Sequence, residues 1–303
     1  MANEFFGRGK LLLSGEYLVL DGAQALALGL NVGQRLSVEN ISGDFLQWES
    51  LEKDGSLWFS GRFDAAGGIL ESSDAKVAGL LSSILKVCIR HNSGFSPAGK
   101  KVVIRAGFDR SWGVGSSSTL IYILGRWAGV DPFVLVREVL PGSGYDVACA
   151  GIGRGNAIVY ALKDGVPSWE EIEYRPPFAD ALFFVYSGVK QDTRKAVERY
   201  RAIPADVRRK TAEQATQMTR EMRACTGLEK FEELIVRHET LVGDLLDIQP
   251  VRERLFSDYR GGVVKSLGAW GGDFFLATGK DAPEYLRHKG FEVILPFNSI
   301  AAK

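Results

Sequence analysis

The chain has 303 residues, is 46% apolar, and carries 37 lysines and arginines against 37 aspartates and glutamates, a formal charge of zero. That length fits one large or two ordinary domains with a substantial core, and the charge balance gives no overall field to draw nucleic acid or an anionic membrane. The three cysteines (Cys88, Cys149, Cys225) are widely spaced from one another, as are the three histidines (His91, His238, His288), which argues against a disulfide framework, a zinc site or a Ser-His-Asp triad.

The opening Met1-Ala2-Asn3-Glu4-Phe5-Phe6 lacks the basic and apolar regions of a signal peptide. No run of about 18 apolar residues follows, so no membrane span is expected. The expected location is cytoplasmic. Strands come first: a short buried one at Leu11–Leu13, another over Gly33–Glu39, and a pair between Leu46 and Phe59 around the turn Lys53-Asp54-Gly55. A helix is expected from a cap at Ser73-Asp74 to His91, with Val77, Leu80, Leu81, Ile84, Leu85 and Cys88 on one face. Gly94–Gly99 reads as a loop and Lys101–Ala106 as a strand.

Trp112-Gly-Val-Gly-Ser-Ser-Ser-Thr119 then enters an apolar helix from Leu120 to Ala128, and a second helix covers Phe133–Leu140 until Pro141-Gly-Ser-Gly144 breaks it. Asn156–Leu162 and Ala181–Tyr186 read as strands. Thr193–Arg223 and Glu229–Leu246 are charged helices, the latter with the stripe Leu234, Ile235, His238, Leu241, Val242, Leu245. A glycine-rich stretch leads into the strand Phe274–Thr278, and a short helix and the strand Phe291–Leu295 close the chain. The order predicts an α+β protein of two lobes, 1–175 and 176–303, parted near the Pro-Pro segment at Tyr174–Asp180.

Two glycine patterns fail their context. Gly94-Phe-Ser-Pro-Ala-Gly99-Lys100 is followed by Lys101 and a strand, where a P-loop needs a hydroxyl and a helix. Gly151-Ile-Gly-Arg-Gly155 precedes a strand, where a dinucleotide fingerprint needs a helix.

Four segments can carry chemistry. Gly113, Gly115 and the serines 116–118 open a helix, where free N–H groups favour an anion and hydroxyls can ligate a hard cation; the plainer alternative is an ordinary serine cap. Asp146 follows the Gly142–Gly144 break at the head of small apolar residues, a setting for a positioned base or for simple dipole compensation. Lys10 stands between glycines at the mouth of a buried strand. Lys265-Ser-Leu-Gly268-Ala-Trp-Gly271-Gly272-Asp273 is a glycine loop or a bulge before a strand. Together they suit phosphoryl transfer, which needs held phosphates, a cation and one residue at the acceptor hydroxyl.

Three of these segments, in this order, resemble the three motifs of the GHMP kinases, across residues 5 to 278: Gly9-Lys10-Leu-Leu-Leu-Ser-Gly15-Glu16-Tyr17, then Trp112–Ser118, then Gly268–Asp273. Gly-Glu-Tyr, Ser143-Gly-Tyr-Asp146-Val-Ala and the Gly272-Asp273 ending are similar to the mevalonate and phosphomevalonate kinase branch. The resemblance implies a two-lobed GHMP kinase fold, with a ribosomal S5 domain 2-like N-terminal lobe and a ferredoxin-like C-terminal lobe. It implies ATP and Mg2+ as cofactors, with Gly113, Gly115, Ser116, Ser117 and Ser118 at the nucleotide and Ser117 as magnesium ligand. Asp146 and Lys10 are then catalytic. Glu16, Tyr17, Lys190, Arg194, Gly268, Gly271 and Gly272 fall to the acceptor, a small acid such as mevalonate or its phosphate. Trp270 replaces a motif glycine, and Leu135 stands where mevalonate kinases place a magnesium glutamate, with Glu138 the nearest acid. A same-fold decarboxylase, a sugar kinase and a non-catalytic ligand sensor stay open. The expected partner is a small-molecule substrate, with a homodimer left open and neither nucleic acid nor membrane expected.

Overall fold

A computed structural model of the chain describes residues 3–189, 193–270 and 272–302. The chain forms two compact units with interleaved segments: the first comprises Met1–Gly9, Val32–Arg110 and Gly115–Gly151, the second Lys10–Asn31, Ser111–Val114 and Ile152–Lys303. The long strands β1 (Asn3–Ser14) and β2 (Ala25–Asn40) each pass from one unit to the other.

In the first unit the later half of β2 pairs antiparallel with β6 (Lys100–Ala106), register Gln34↔Ala106. β3 (Phe45–Leu51) runs parallel to β6 and antiparallel to β4 (Leu57–Asp64), and β5 (Ile69–Ser72) closes that edge. Helices α1 (Ala75–His91), α2 (Ser116–Ala128), α3 (Pro132–Glu138) and α4 (Tyr145–Ala150) complete the unit. Its core joins Trp48, Phe59 and Phe63 of the strands to Leu81, Ile84, Leu85 and Cys88 of α1; each such large side chain, fully buried, contributes about 1.5–3 kcal/mol. α1 begins where its sequence says. The Asp74 carboxylate accepts the Lys76 and Val77 amides, a cap worth about 1 kcal/mol.

In the second unit Ala25–Leu28 of β2 pairs with β7 (Ala157–Lys163), which turns through Asp164-Gly165 into β8 (Val166–Ile172). A separate antiparallel sheet has the order β10 (Val264–Ser266), β11 (Phe274–Thr278), β9 (Leu182–Tyr186), β12 (Ile294–Pro296). The helices are α5 (Thr193–Ala202), α6 (Ala205–Ala224), α7 (Leu228–Leu246) and the short α8 (Val251–Arg254), α9 (Ala282–His288) and α10 (Phe297–Ile300). One core packs Phe183, Val185, Val264 and Phe275 with Leu286. Another packs Tyr17 and Leu18 with Tyr200, Ala212, Ala215, Val242 and Trp270.

The helix expected over Thr193–Arg223 is two. Pro204, the N-cap of α6, lacks an N–H and drives Ile203 out of helical geometry. β8, not expected from the sequence, has no buried alternation because it is an exposed edge strand, where Pro167 is tolerated. α2 begins at Ser116, one turn before its apolar stretch, because Gly115 at φ +95° turns the chain into it. Among the described residues, no helix is long and apolar enough to cross a membrane, and the three cysteines are free thiols.

Candidate functional site

The Trp112–Thr119 segment is divided between the units. In the second unit, β1 brings Lys10 to it. The Lys10 amide donates to the Val114 carbonyl at 2.9 Å and the Lys10 ammonium to the Gly113 carbonyl at 3.3 Å. Gly113 is left-handed at φ +61°, and a side chain there would meet Asp273, whose carboxyl carbon lies 2.4 Å from the position of a Cβ. Trp112 is fixed edge-on against Phe274 at 5.8 Å, and the Tyr186 hydroxyl donates to the Ser111 carbonyl at 3.2 Å.

In the first unit the segment becomes α2. Gly115 caps the helix without a side chain, so the first amides of α2 are left to whatever lies before them. The three serines differ. The Ser118 hydroxyl is buried and donates to the Gly115 carbonyl at 2.9 Å. Ser116 is half-buried and Ser117 exposed. Thr119 is also committed, donating to Gln34 Oε1 at 2.8 Å. Asp146 sits half-buried in the first turn of α4 after Gly144 (φ +81°), and its Oδ1 accepts the Val147 amide at 3.0 Å. α4 packs closely on α2: a Cβ on Gly151 would stand 2.7 Å from the Tyr122 ring. Glu138 is taken up elsewhere in this unit, one oxygen accepting from Arg90 and the other held to His91 Nε2 at 2.7 Å.

Glu16 and Tyr17 follow β1 in the second unit. Glu16 is fully buried and accepts a hydrogen bond from the equally buried Lys265, which also donates to the Ser266 carbonyl at 2.8 Å. Tyr17 is buried at φ 59° and stacks on Tyr200 with ring centroids 5.7 Å apart. Two residues of α7 complete this cluster. His238 Nε2 accepts the Gly15 amide at 3.1 Å and lies 3.5 Å from Glu16 Oε2; Glu239 Oε1 accepts the Ser266 and Val251 amides at 2.9 and 3.3 Å. Burial raises the Glu16 carboxyl above the ordinary range against the opposing charge of Lys265. It raises Glu239 likewise. Burial, with the Lys265 charge, holds the His238 imidazole well below its usual value, so it is neutral.

In the third glycine segment Gly268 (φ +66°), Trp270 (φ 50°) and Asp273 (φ 53°) are all left-handed, and Gly272 is buried. Trp270, in place of a motif glycine, turns inward: its ring approaches within 3.5 Å of the Cβ position of Gly243, so α7 is thinned where the indole lies. Lys190 and Gly271 lie outside the described residues. Arg194 is in the first turn of α5.

The structure therefore joins Lys10 to Gly113, Gly113 to Asp273, and Glu16 to Lys265 and His238 in the second unit. In the first it joins the serines of α2 to the helix pair that carries Asp146. Lys265 and Asp273 were named from sequence only as the bounds of the third glycine segment and His238 only in the apolar stripe of α7, none with a role, and Glu239 was not singled out. The signals were a lysine inside the apolar run Val263–Leu267 and a histidine inside the apolar stripe of α7. Among the described residues no group of three or more histidine, cysteine, aspartate or glutamate side chains could hold a metal ion alone.

No protein-family model and no curated protein sequence matches the chain. Solved structures do. Streptococcus pneumoniae phosphomevalonate kinase, in complex with phosphomevalonate and AMPPNP, superposes with a TM-score of 0.70 at 17% identity, over 97% of this chain and 98% of that one. Methanococcus jannaschii mevalonate kinase gives 0.68 at 15% identity, over 96% and 94%. Lactococcus lactis galactokinase, complexed with galactose, gives 0.67 at 15% identity, over 99% and 93%. Over nearly its whole length, the chain has the two-lobed α+β fold of the GHMP kinases.

Proposed function

We propose that this chain is a small-molecule kinase that transfers the terminal phosphoryl group of ATP to a hydroxyl or phosphate of a small acid, mevalonate or phosphomevalonate. The observation that carries the reading is the run of Gly113–Ser118 into the side-chain-free start of α2, in a chain with the fold of proteins that do this chemistry. Backbone amides at a helix start favour phosphate. Lys10, on β1, is held to Gly113 of this loop and would offset charge on the transferring group. Asp146 would accept or orient the acceptor's proton.

Magnesium fits this donor set. A hard divalent cation takes hydroxyl, phosphate and water oxygens and needs few protein ligands. The exposed Ser117 hydroxyl would hold it, with Ser116 beside it, because Ser118 is already committed to Gly115. When bound, the cation neutralises charge on the nucleotide phosphates. The acceptor is assigned to Lys190, Arg194 and the glycines 268, 271 and 272; Glu16 and Tyr17, both buried, would support that side from the turn after β1 without touching it. Basic groups among these suit a carboxylate or phosphate.

A sugar acceptor is the second reading, favoured by the match to galactokinase and by one to a Bacteroides heptose 1-phosphate kinase (TM-score 0.66). One experiment separates the readings: ADP release from ATP with mevalonate, phosphomevalonate, galactose or homoserine in turn. Turnover with either mevalonate compound supports the first reading. Turnover with galactose alone replaces it with the second. No ADP with any acceptor refutes the acid-kinase assignment.

A further inference from the structure

The turn after β1 is gripped from every side within the second unit. Gly15 (φ +89°) leaves no slack, since a Cβ there would lie 2.8 Å from Ala25. The Ser14 hydroxyl is 2.8 Å from Thr219 Oγ1 on α6, and the Gly15 amide ends on His238 of α7. Glu16 is bonded to Lys265 of β10, and Glu239 ties β10 to α7 through the Ser266 amide. Glu16, Lys265 and His238 are each 0% exposed.

A buried ion pair of this kind is a poor device for stability. Taking both charges out of water costs about as much as their attraction returns, and an apolar pair of the same volume often serves better. What such a pair can fix is geometry, because two buried charges with no solvent to turn to admit few arrangements other than facing each other. Here the two ends of the bond belong to the two segments assigned to the acceptor side. Glu16 precedes Tyr17 in the first. Lys265 stands three residues before Gly268 in the third.

We infer that Lys265 is a positioning residue, which acts through Glu16, with His238 as its second anchor, to hold the Gly15–Tyr17 turn and the turn at Gly268–Trp270 in register for the acceptor. This rests on the kinase reading above for its functional consequence, but not for its structural one. Lys265 itself is sealed from solvent. Its loss acts on the acceptor side through the turn and leaves the nucleotide side in place.

The test uses Lys265→Met, Lys265→Arg and the double variant Glu16→Gln/Lys265→Met. Folding is followed by circular dichroism, nucleotide affinity with a non-hydrolysable ATP analogue, and kcat and KM with the acceptor found in the ADP screen. For a folded Lys265→Met we expect analogue affinity within about 3-fold of wild type, acceptor kcat/KM lowered by about 100-fold, and partial recovery in Lys265→Arg. The double variant should be no worse than Lys265→Met, since both changes cut one bond. A folded Lys265→Met with wild-type acceptor kinetics overturns the inference and spares the kinase reading. If Lys265→Met does not fold, His238 decides. His238→Gln keeps an acceptor for the Gly15 amide and His238→Leu does not, so the Leu variant should lose about 10-fold more kcat/KM; equal values overturn the inference. Hydrogen exchange gives a readout free of activity: the peptide spanning 11–20 should exchange about 10-fold faster in Lys265→Met or His238→Leu than in wild type. Unchanged exchange there overturns the inference even if the chain proves to have no kinase activity.

Discussion

The carboxyl group of Asp273 occupies the space in which a side chain on Gly113 would begin, with its carbon 2.4 Å and its oxygens 2.5 and 2.6 Å from that point. Glycine is required there twice over. The backbone is left-handed, which costs a residue with a Cβ about 1–2 kcal/mol, and the neighbour is the carboxylate of a loop that is itself left-handed at φ 53°. Gly113→Ala should therefore lower the melting temperature by several degrees and raise the KM for ATP about 10-fold or more. Adding Asp273→Ala should return part of the melting temperature, since only the clash is relieved. A Gly113→Ala protein with unchanged Tm and unchanged KM for ATP would show that the two loops part freely.

Asp146→Asn should leave the fold and ATP binding intact while kcat falls by about 10²–10⁴, the usual contribution of a positioned base. The side chain is half-buried in the first turn of α4, where its Oδ1 accepts the next amide, a bond that asparagine can also make. Near wild-type turnover would return Asp146 to an ordinary helix-start residue.

The serines of α2 should separate in a magnesium titration. Ser117→Ala removes an exposed hydroxyl and should raise the magnesium concentration needed for half-maximal rate by about 10-fold. Ser118→Ala removes a buried bond to Gly115 and should cost about 1 kcal/mol of stability with little change in magnesium demand. Matching titrations for the two variants would withdraw Ser117 as the ligand.

Local rules carried much of this architecture in the sequence. The Asp74 cap, the turn between β3 and β4 and the strand Phe274–Thr278 all form where single-residue chemistry places them. The rejected glycine patterns are indeed followed by strands, β6 and β7. The buried cluster behind Glu16 was not legible. It joins residues 249, 223 and 12 positions apart, pairs 16–265, 15–238 and 239–251, and no periodicity links a strand end to a helix and another strand across such distances. Trp270 was likewise read as a departure from a motif, because its fit depends on Gly243, a residue with no signature of its own.

The last prediction concerns acid. His238 is buried and neutral, faced by Glu16 across 3.5 Å, by the Lys265 ammonium that bonds Glu16, and flanked by Glu239 on its own helix. Its folded pKa lies well below the ordinary value of a free imidazole, about 6.5, so the unfolded chain takes up a proton that the folded chain refuses. Its contribution is whole above about pH 6.5 and is lost as pH falls toward the folded value, with a limiting slope of about 1.4 kcal/mol per pH unit. Glu16 and Glu239 carry the opposite sign. Their raised pKa values favour the fold at low pH and lose that contribution as pH rises above 4.5 through the folded values. The comparison of wild type with His238→Gln cancels both carboxyls, since each protein contains them. Urea unfolding between about pH 7.5 and 5.5 should show wild type losing about 1.4 kcal/mol more than His238→Gln. Parallel pH profiles for the two proteins would mean that the imidazole charges in place, and that the pocket around Glu16 is wetter than its full burial implies.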